Sequence, residues 1–448
     1  MNRYLKFTTA VILLLVTGWL VSSWYFAKQS SQTLDELVSG WHTSSTEHVA
    51  GLTLLESEQG VFSSHKKIRV TPNVPYLFEL LGDFTLNVDQ KAGPILFGEN
   101  GLAFGRAEWV VTLDFDESIE LSDKTTAQLK VIDDFSSRLQ IEGSITQFNT
   151  STLSGDNVTT EGAVDLDSGE YQFVTVVEAL NGYASGVRLK LTNARLEVDS
   201  AMSLMNGESV NLTEIGLSAA NGQLLNEKSG KNMSLNLSSA ASIWKKNDTL
   251  DADFKVSFVN TLPLNSKEAY LSVQLRQWLT AGARNYLEQL SNSSHLLRQG
   301  QWALEEVETT EQQDFYRSLI YQAEKVGRLN WTDVISPMLT ADQSQLMVEV
   351  GVKQSIETLA KLNLAGNAVL LDEKPSLPLT GDLKIVSSEL DKPFARLLRR
   401  WVSRAWLREY ETAFEGDVAV KGQTLLLNKG RVSLVRLTDE LKRAFNDQ

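Results

Sequence analysis

Histidine, serine and paired carboxylates are the groups in this chain whose types suit general acid–base work, nucleophilic attack or metal binding. There are only four histidines, His42, His48, His65 and His295. His42 and His48 lie six apart, so they do not share a helix face as an i, i+4 metal-binding pair does. Ser63-Ser64-His65 sets a hydroxyl beside an imidazole. Neighbours on a strand point to opposite faces, however, and no G-x-S-x-G elbow surrounds these residues. Asp114 and Asp116 share a strand face, as an acid–base couple would. With 56 acidic residues in the chain, a solvated strand face accounts for such pairs. The chain has no cysteine, which excludes disulfides, thiolate metal sites and cysteine nucleophiles. No phosphate-cradling glycine loop is present. The expectation is no catalytic residue, no metal site and no cofactor.

One segment concentrates charge. Around 393–410, Phe394, Leu397, Leu398, Trp401, Val402 and Ala405 fall on one helical face. Arg396, Arg399, Arg400 and Arg404 fall on the other, with Arg408 at the boundary. An arginine-rich amphipathic helix with tryptophans can lie on anionic lipid. Arg396, Arg400, Arg404, Trp401 and Trp406 are therefore the candidate lipid or partner contacts. The competing and favoured arrangement docks the apolar face on a sheet and pairs the arginines with Glu389, Asp391, Glu409 and Glu411.

The elements that must position these groups are mostly strands. Trp109, Val111, Leu113 and Phe115 alternate with Glu108, Thr112, Asp114 and Asp116, the period-two pattern of a half-buried strand. The same alternation runs through 138–145, 187–198, 233–237 and 252–258. Between Leu191 and Ala194 the phase slips by one, which predicts a bulge or turn near Thr192-Asn193. From Ser266 the spacing of Leu271, Leu275, Trp278, Leu279, Tyr286, Leu287 and Leu290 predicts an amphipathic helix. Phe315, Leu319, Ala323 and Val326 predict a second, ending near Gly327. Strands return at 346–352, 383–385, 418–420 and 425–427, with a short helix from Thr438.

The N-terminus supplies an address. Phe7 to Ala27 carries no charge, and Arg3 and Lys6 precede it. About twenty helical residues span roughly 30 Å, the hydrocarbon thickness of a bilayer. The positive-inside bias keeps the N-terminus in the cytoplasm and sends the rest across. Trp24, Tyr25 and Phe26 extend the apolar run past Val21-Ser22-Ser23, which suits a span better than a cleaved signal peptide. The formal net charge of −14 argues against nucleic acid as a partner.

Leu54-Leu55-Glu56-Ser57-Glu58-Gln59-Gly60-Val61-Phe62-Ser63-Ser64-His65 resembles the opening of the YdgA-like family of Gram-negative envelope proteins, whose function is unassigned. That family carries a His-Gly-Pro turn after the next strand. Gly93-Pro94 stands at the fitting distance here, with Ala92 in place of the histidine. The resemblance is clearest over the first 115 residues. It implies an inner-membrane anchor and a periplasmic body, and brings no catalytic residues to carry over.

Together these features predict a β-rich α+β fold: an N-terminal transmembrane helix, then long, mostly antiparallel curved sheet, with several amphipathic helices in the C-terminal half. The expected divisions are an anchor over 1–28, a linker over 29–51, a β-rich domain over 52–262 and a mixed α+β domain over 263–448. The first functional reading is a non-enzymatic inner-membrane protein that binds lipid or another envelope protein. The second is a periplasmic hydrolase of envelope glycans or esters acting through carboxylates.

Overall fold

The computed structural model describes residues 50–433 with breaks, the longest at 74–82, 116–126 and 261–266, and several N- and C-terminal residues, among them 25, 28, 31, 32, 35, 36, 38, 437 and 440. It divides into two compact units, one of residues 1–184 with 287–328 and the other of 185–286 with 329–448. The cut at 184/185 falls inside the region expected to form a single β-rich domain.

The first unit is an antiparallel meander. Its strands are β1 (Ala50–Gln59), β2 (Ser63–Pro72), β3 (Phe84–Ala92), the small hairpin β4 (Ile95–Gly98) and β5 (Gly101–Phe104), then β6 (Ala107–Phe115), β7 (Ala127–Asp133), β8 (Arg138–Asn149), β9 (Leu153–Asp165) and β10 (Tyr171–Ala184). Apart from the β4–β5 hairpin, each strand pairs with the one before it in this order. One face carries Ile68, Val88 and Val111; the other carries His65, Asp89, Lys130 and Glu142.

The second unit repeats the plan with β11 (Val187–Met205), β12 (Glu208–Asn226), β13 (Lys231–Lys246), β14 (Thr249–Asn260), β15 (Lys267–Leu279), β16 (Gln345–Gln354) and β17 (Glu357–Asn367). The hairpin β18 (Val369–Leu371) and β19 (Lys374–Ser376) precedes β20 (Leu379–Val386), β21 (Arg408–Glu409), β22 (Ala413–Lys421), β23 (Thr424–Leu427) and β24 (Gly430–Val432). Pairing again follows chain order from β11 to β17, then to β20 and β22. Among the described residues after β1 the helices are α1 (Thr280–Glu306), which starts in the second unit and belongs to the first from Leu287, α2 (Thr310–Gly327) of the first unit, and α3 (Trp331–Ile335) and α4 (Lys392–Ser403) of the second.

The α+β expectation is corrected: antiparallel sheet dominates, and no described helix is long and apolar enough to cross a membrane. Most of the expected anchor lies outside the described residues. Among the described residues the expected several amphipathic helices are not found. Leu271 to Leu279, read as helical, is strand β15. Leu271 and Leu275 fit either period, but Val273 fits only the strand, Tyr270, Ser272, Gln274 and Arg276 alternate with these residues, and ladders on both sides stabilise the strand. Helix α2 leaves Phe315 60% exposed and Leu319 half-buried. Described residues of the 29–51 segment touch the first unit's sheet. Helical Ser31 and Val38 are buried, and the buried Lys66 ammonium donates to the Ser31 carbonyl at 3.0 Å and pairs with Asp35. Positions 31, 35 and 38 share one helical stripe.

Aromatic rings laid over cross-strand glycines are a recurrent packing device in both sheets. Phe148 faces Gly155, Phe173 faces Gly162 and Tyr270 faces Gly351. A Cβ at Gly351 would sit 2.6 Å from the Tyr270 ring, so only glycine admits the ring there. The Tyr270 hydroxyl donates to Glu349 Oε1 at 2.8 Å, and Lys353 Nζ stands 4.3 Å from the ring centre. Burial, then the hydrogen bond and charge of Glu349, push Tyr270 up to about 12. Its proton is held in the folded chain after the unfolded chain has lost it, so this contribution to stability is complete below the unfolded pKa, near 10, and fades as pH rises from there towards 12. A tyrosinate absorbance titration should show a component centred near pH 12 that Tyr270→Phe removes; its persistence in that variant would contradict the assignment.

Candidate functional site

Two surfaces have the geometry to receive a ligand, one in each unit. In the first unit, cross-strand register sets Glu58, His65, Asp89, Val110, Lys130, Glu142 and Glu161 in one row, each directly opposite the next. Directly opposed side chains lie about 5 Å apart, close enough to interact. Part of this row, with Ser63, Lys91, Glu108, Gln128 and Ser144, lines a polar cleft of about 910 Å³. His65 Nδ1 lies 2.8 Å from Asp89 Oδ1, and Lys130 Nζ lies 3.2 Å from the buried Glu108. Ser64 points to the opposite face from His65 and donates to Gln90 Oε1 at 2.5 Å, so no serine–histidine couple forms from these neighbours. Asp114 is exposed, while Asp116, His42 and His48 lie outside the described residues. Among the described residues, no group of three or more His, Asp or Glu side chains is arranged to hold a metal ion. The carboxyl that burial pushes up, Asp133, lies outside the cleft's lining and is tied to Arg106 at 2.7 Å.

The second surface is apolar. Leu196, Leu217, Ser239, Val256, Leu271, Val350, Leu362 and Leu383 form a single row across β11 to β20. Leu362 and Leu383 pack against a core built on α4: Leu397, Leu398, Trp401, Trp406, Leu407 and Phe414. That cover stops short of Val350. Val350 is 41% exposed and Leu271 39%, while Phe258, two residues along from Val256 on the same face, is 44% exposed. Of the second unit's strands, β14 to β16 thus present contiguous apolar side chains to solvent.

Helix α4 clarifies the arginine segment. It ends at Ser403, and Ala405 at φ 55° turns the chain back towards β21. Trp401 and Trp406 are buried with ring centres 6.3 Å apart, so they are core side chains and not surface contacts. Arg404 bonds both oxygens of Glu440, at 2.7 and 3.0 Å, and Trp401 Nε1 donates to the same carboxylate at 2.9 Å. Arg399 stands 3.6 Å from Glu409. Arg396 and Arg400 are exposed. The sequence named these residues but missed Glu440, whose partners lie 36 and 39 positions away and leave no local pattern.

Residues 1–320 match the profile of a bacterial protein family of unknown function, DUF945. The chain belongs to that family. Neither a curated protein nor a solved structure matches this DUF945 chain.

Glu440→Ala should leave the buried Trp401 Nε1 without its acceptor and Arg404 without its ion partner. We expect a loss of about 1–3 kcal/mol in chemical denaturation. Arg396→Gln and Arg400→Gln, at exposed positions, should stay within about 0.5 kcal/mol of the parent. Equal effects at all three positions would contradict the docked arrangement.

Proposed function

We propose that this DUF945 chain is a non-enzymatic envelope protein, anchored in the inner membrane of a Gram-negative cell by Phe7 to Ala27, with a periplasmic body that holds lipid acyl chains on the open face of the second unit's sheet. The observation carrying this reading is the uncovered half of the apolar row. Val350 sits directly opposite Leu362, yet Leu362 is packed under the α4 core and Val350 is in solvent. Exposed apolar area forfeits roughly 25 cal/mol per Å², and a contiguous patch of this kind on a soluble body favours an apolar occupant. The opposite face of the same strands carries Lys255, Ser272, Gln274, Glu349 and Lys361, so the apolar side is distinct from the wet one.

A second reading, hydrolysis of glycans or esters, draws on the acids gathered in the first unit's cleft. Glu108 and Asp89 are each occupied by a basic partner there, Lys130 and His65. That arrangement suits polar binding better than a free acid–base couple.

Leu271→Glu combined with Val350→Glu should leave folding intact, because both side chains are already substantially exposed. Lipid copurifying with the protein, measured by mass spectrometry, should fall sharply in the double variant. Unchanged lipid content, or none with the parent, would overturn the proposal.

A further inference from the structure

In the first unit the turns joining β1 to β2, β7 to β8 and β9 to β10 lie at the same end of the sheet. The register fixes this: Ser63 opposes Lys91, Lys91 opposes Glu108, Ala107 opposes Asp133, and Arg138 opposes Asp165. The Leu166 N–H donates to the Ser137 carbonyl at 2.9 Å, locking two of these turns together. Each of the three turns presents a large apolar side chain to solvent: Phe62 at 36% exposure, Phe135 at 53% and Leu166 at 49%. Two of the neighbouring acids, Asp134 and Asp165, are half-buried and bond backbone amides within the turns, while Asp167, beside Leu166, and Glu170 are exposed. Asp134 Oδ1 accepts from the Ser136 and Arg138 amides, at 2.8 and 3.1 Å. Asp165 Oδ1 accepts from the Asp167 and Ser168 amides, at 3.0 and 2.8 Å. These bonds fix the turns and leave the rings and the leucine at their tips.

The N-terminal segment leads to the same end. Ser31 and Asp35 meet Lys66, while Val38 packs with Val88, which stands opposite Lys66, and with Ile68, two positions further from the β1–β2 turn. The chain re-enters the sheet at Ala50, opposite Pro72, at the far end. Going backwards along the chain, Ser31 therefore faces the turn end, and the apolar stretch finishes at Ala27, four residues before it. Four residues span at most about 14 Å whatever their conformation.

We infer that this turn end is a membrane-contact edge, in which Phe62, Phe135 and Leu166 enter the bilayer interface beside the point where the anchor leaves it. The inference rests on reading Phe7 to Ala27 as membrane-embedded. Aromatic and aliphatic tips partition into the interface by apolar burial. The chain's charge of −14 opposes an anionic surface, so the contact should be stronger on zwitterionic lipid.

The absence of native cysteine allows single labels. Full-length Ser22→Cys, Phe135→Cys, Leu166→Cys and Glu161→Cys variants would each carry an environment-sensitive fluorophore in phosphatidylcholine vesicles containing a lipid-borne quencher. Labels at 22, 135 and 166 should blue-shift and lose most of their emission, and the mid-sheet label at 161 should do neither. Quenching at 22 alone would overturn the edge while leaving the anchor standing. No quenching at any position would overturn the anchor reading and the edge with it. Equal quenching at 161 would mean that the sheet lies flat on the bilayer, and would also overturn the edge.

Discussion

The direct pairing of Val350 with Leu362 marks the boundary on which the second unit turns. Antiparallel order makes every strand hydrogen-bond its sequence neighbour, so the ladder itself is satisfied whatever lies above it. What remains is a face of leucine, valine and phenylalanine that needs cover. Helix α4 supplies that cover over β17 to β22 through Leu397, Leu398 and Trp401, and its own end is secured by the Arg404–Glu440–Trp401 bonds. Over β14 to β16 the exposed side chains remain Phe258, Leu271 and Val350. Full burial of side chains of that size stabilises by about 1.5–3 kcal/mol each, and since each is already more than half buried, a fraction of that is the driving force available to an apolar ligand.

The first unit solves the same problem differently. Its apolar face receives the segment after the N-terminal apolar stretch, and the contact includes a buried lysine. An ammonium away from water is costly unless its donors are met. Lys66 meets them with the Ser31 carbonyl and the Asp35 carboxylate, the latter half in solvent. Losing that segment would strand a charge in the core. The segment therefore acts as part of the sheet's packing.

Much of the sheet was legible because period-two alternation is local. Strands over 108–115, 138–145 and 252–258 read directly, and the phase slip near Thr192-Asn193 coincides with Asn193 at φ 51° inside β11. Residues 271–279 were misread because Leu271 and Leu275 satisfy helical and strand periods alike, and only the ladders to β14 and β16 decide between them. The polar cleft was invisible for a related reason. His65 and Asp89 are 24 residues apart, and nothing local announces the register that brings them to 2.8 Å. The face of α4 was readable as a stripe, but its anchoring acid was not, since Glu440 comes from the far end of the chain.

Site-specific photocrosslinking in cells tests the central claim most directly, because it reads what covers the open face without removing the protein from its surroundings. A benzophenone side chain at Leu271 points into the apolar row, and one at Ser272 points to the wet face of the same strand. The account predicts lipid adducts from position 271 and none from position 272. Equal lipid labelling at both positions, or labelling at neither, would contradict it.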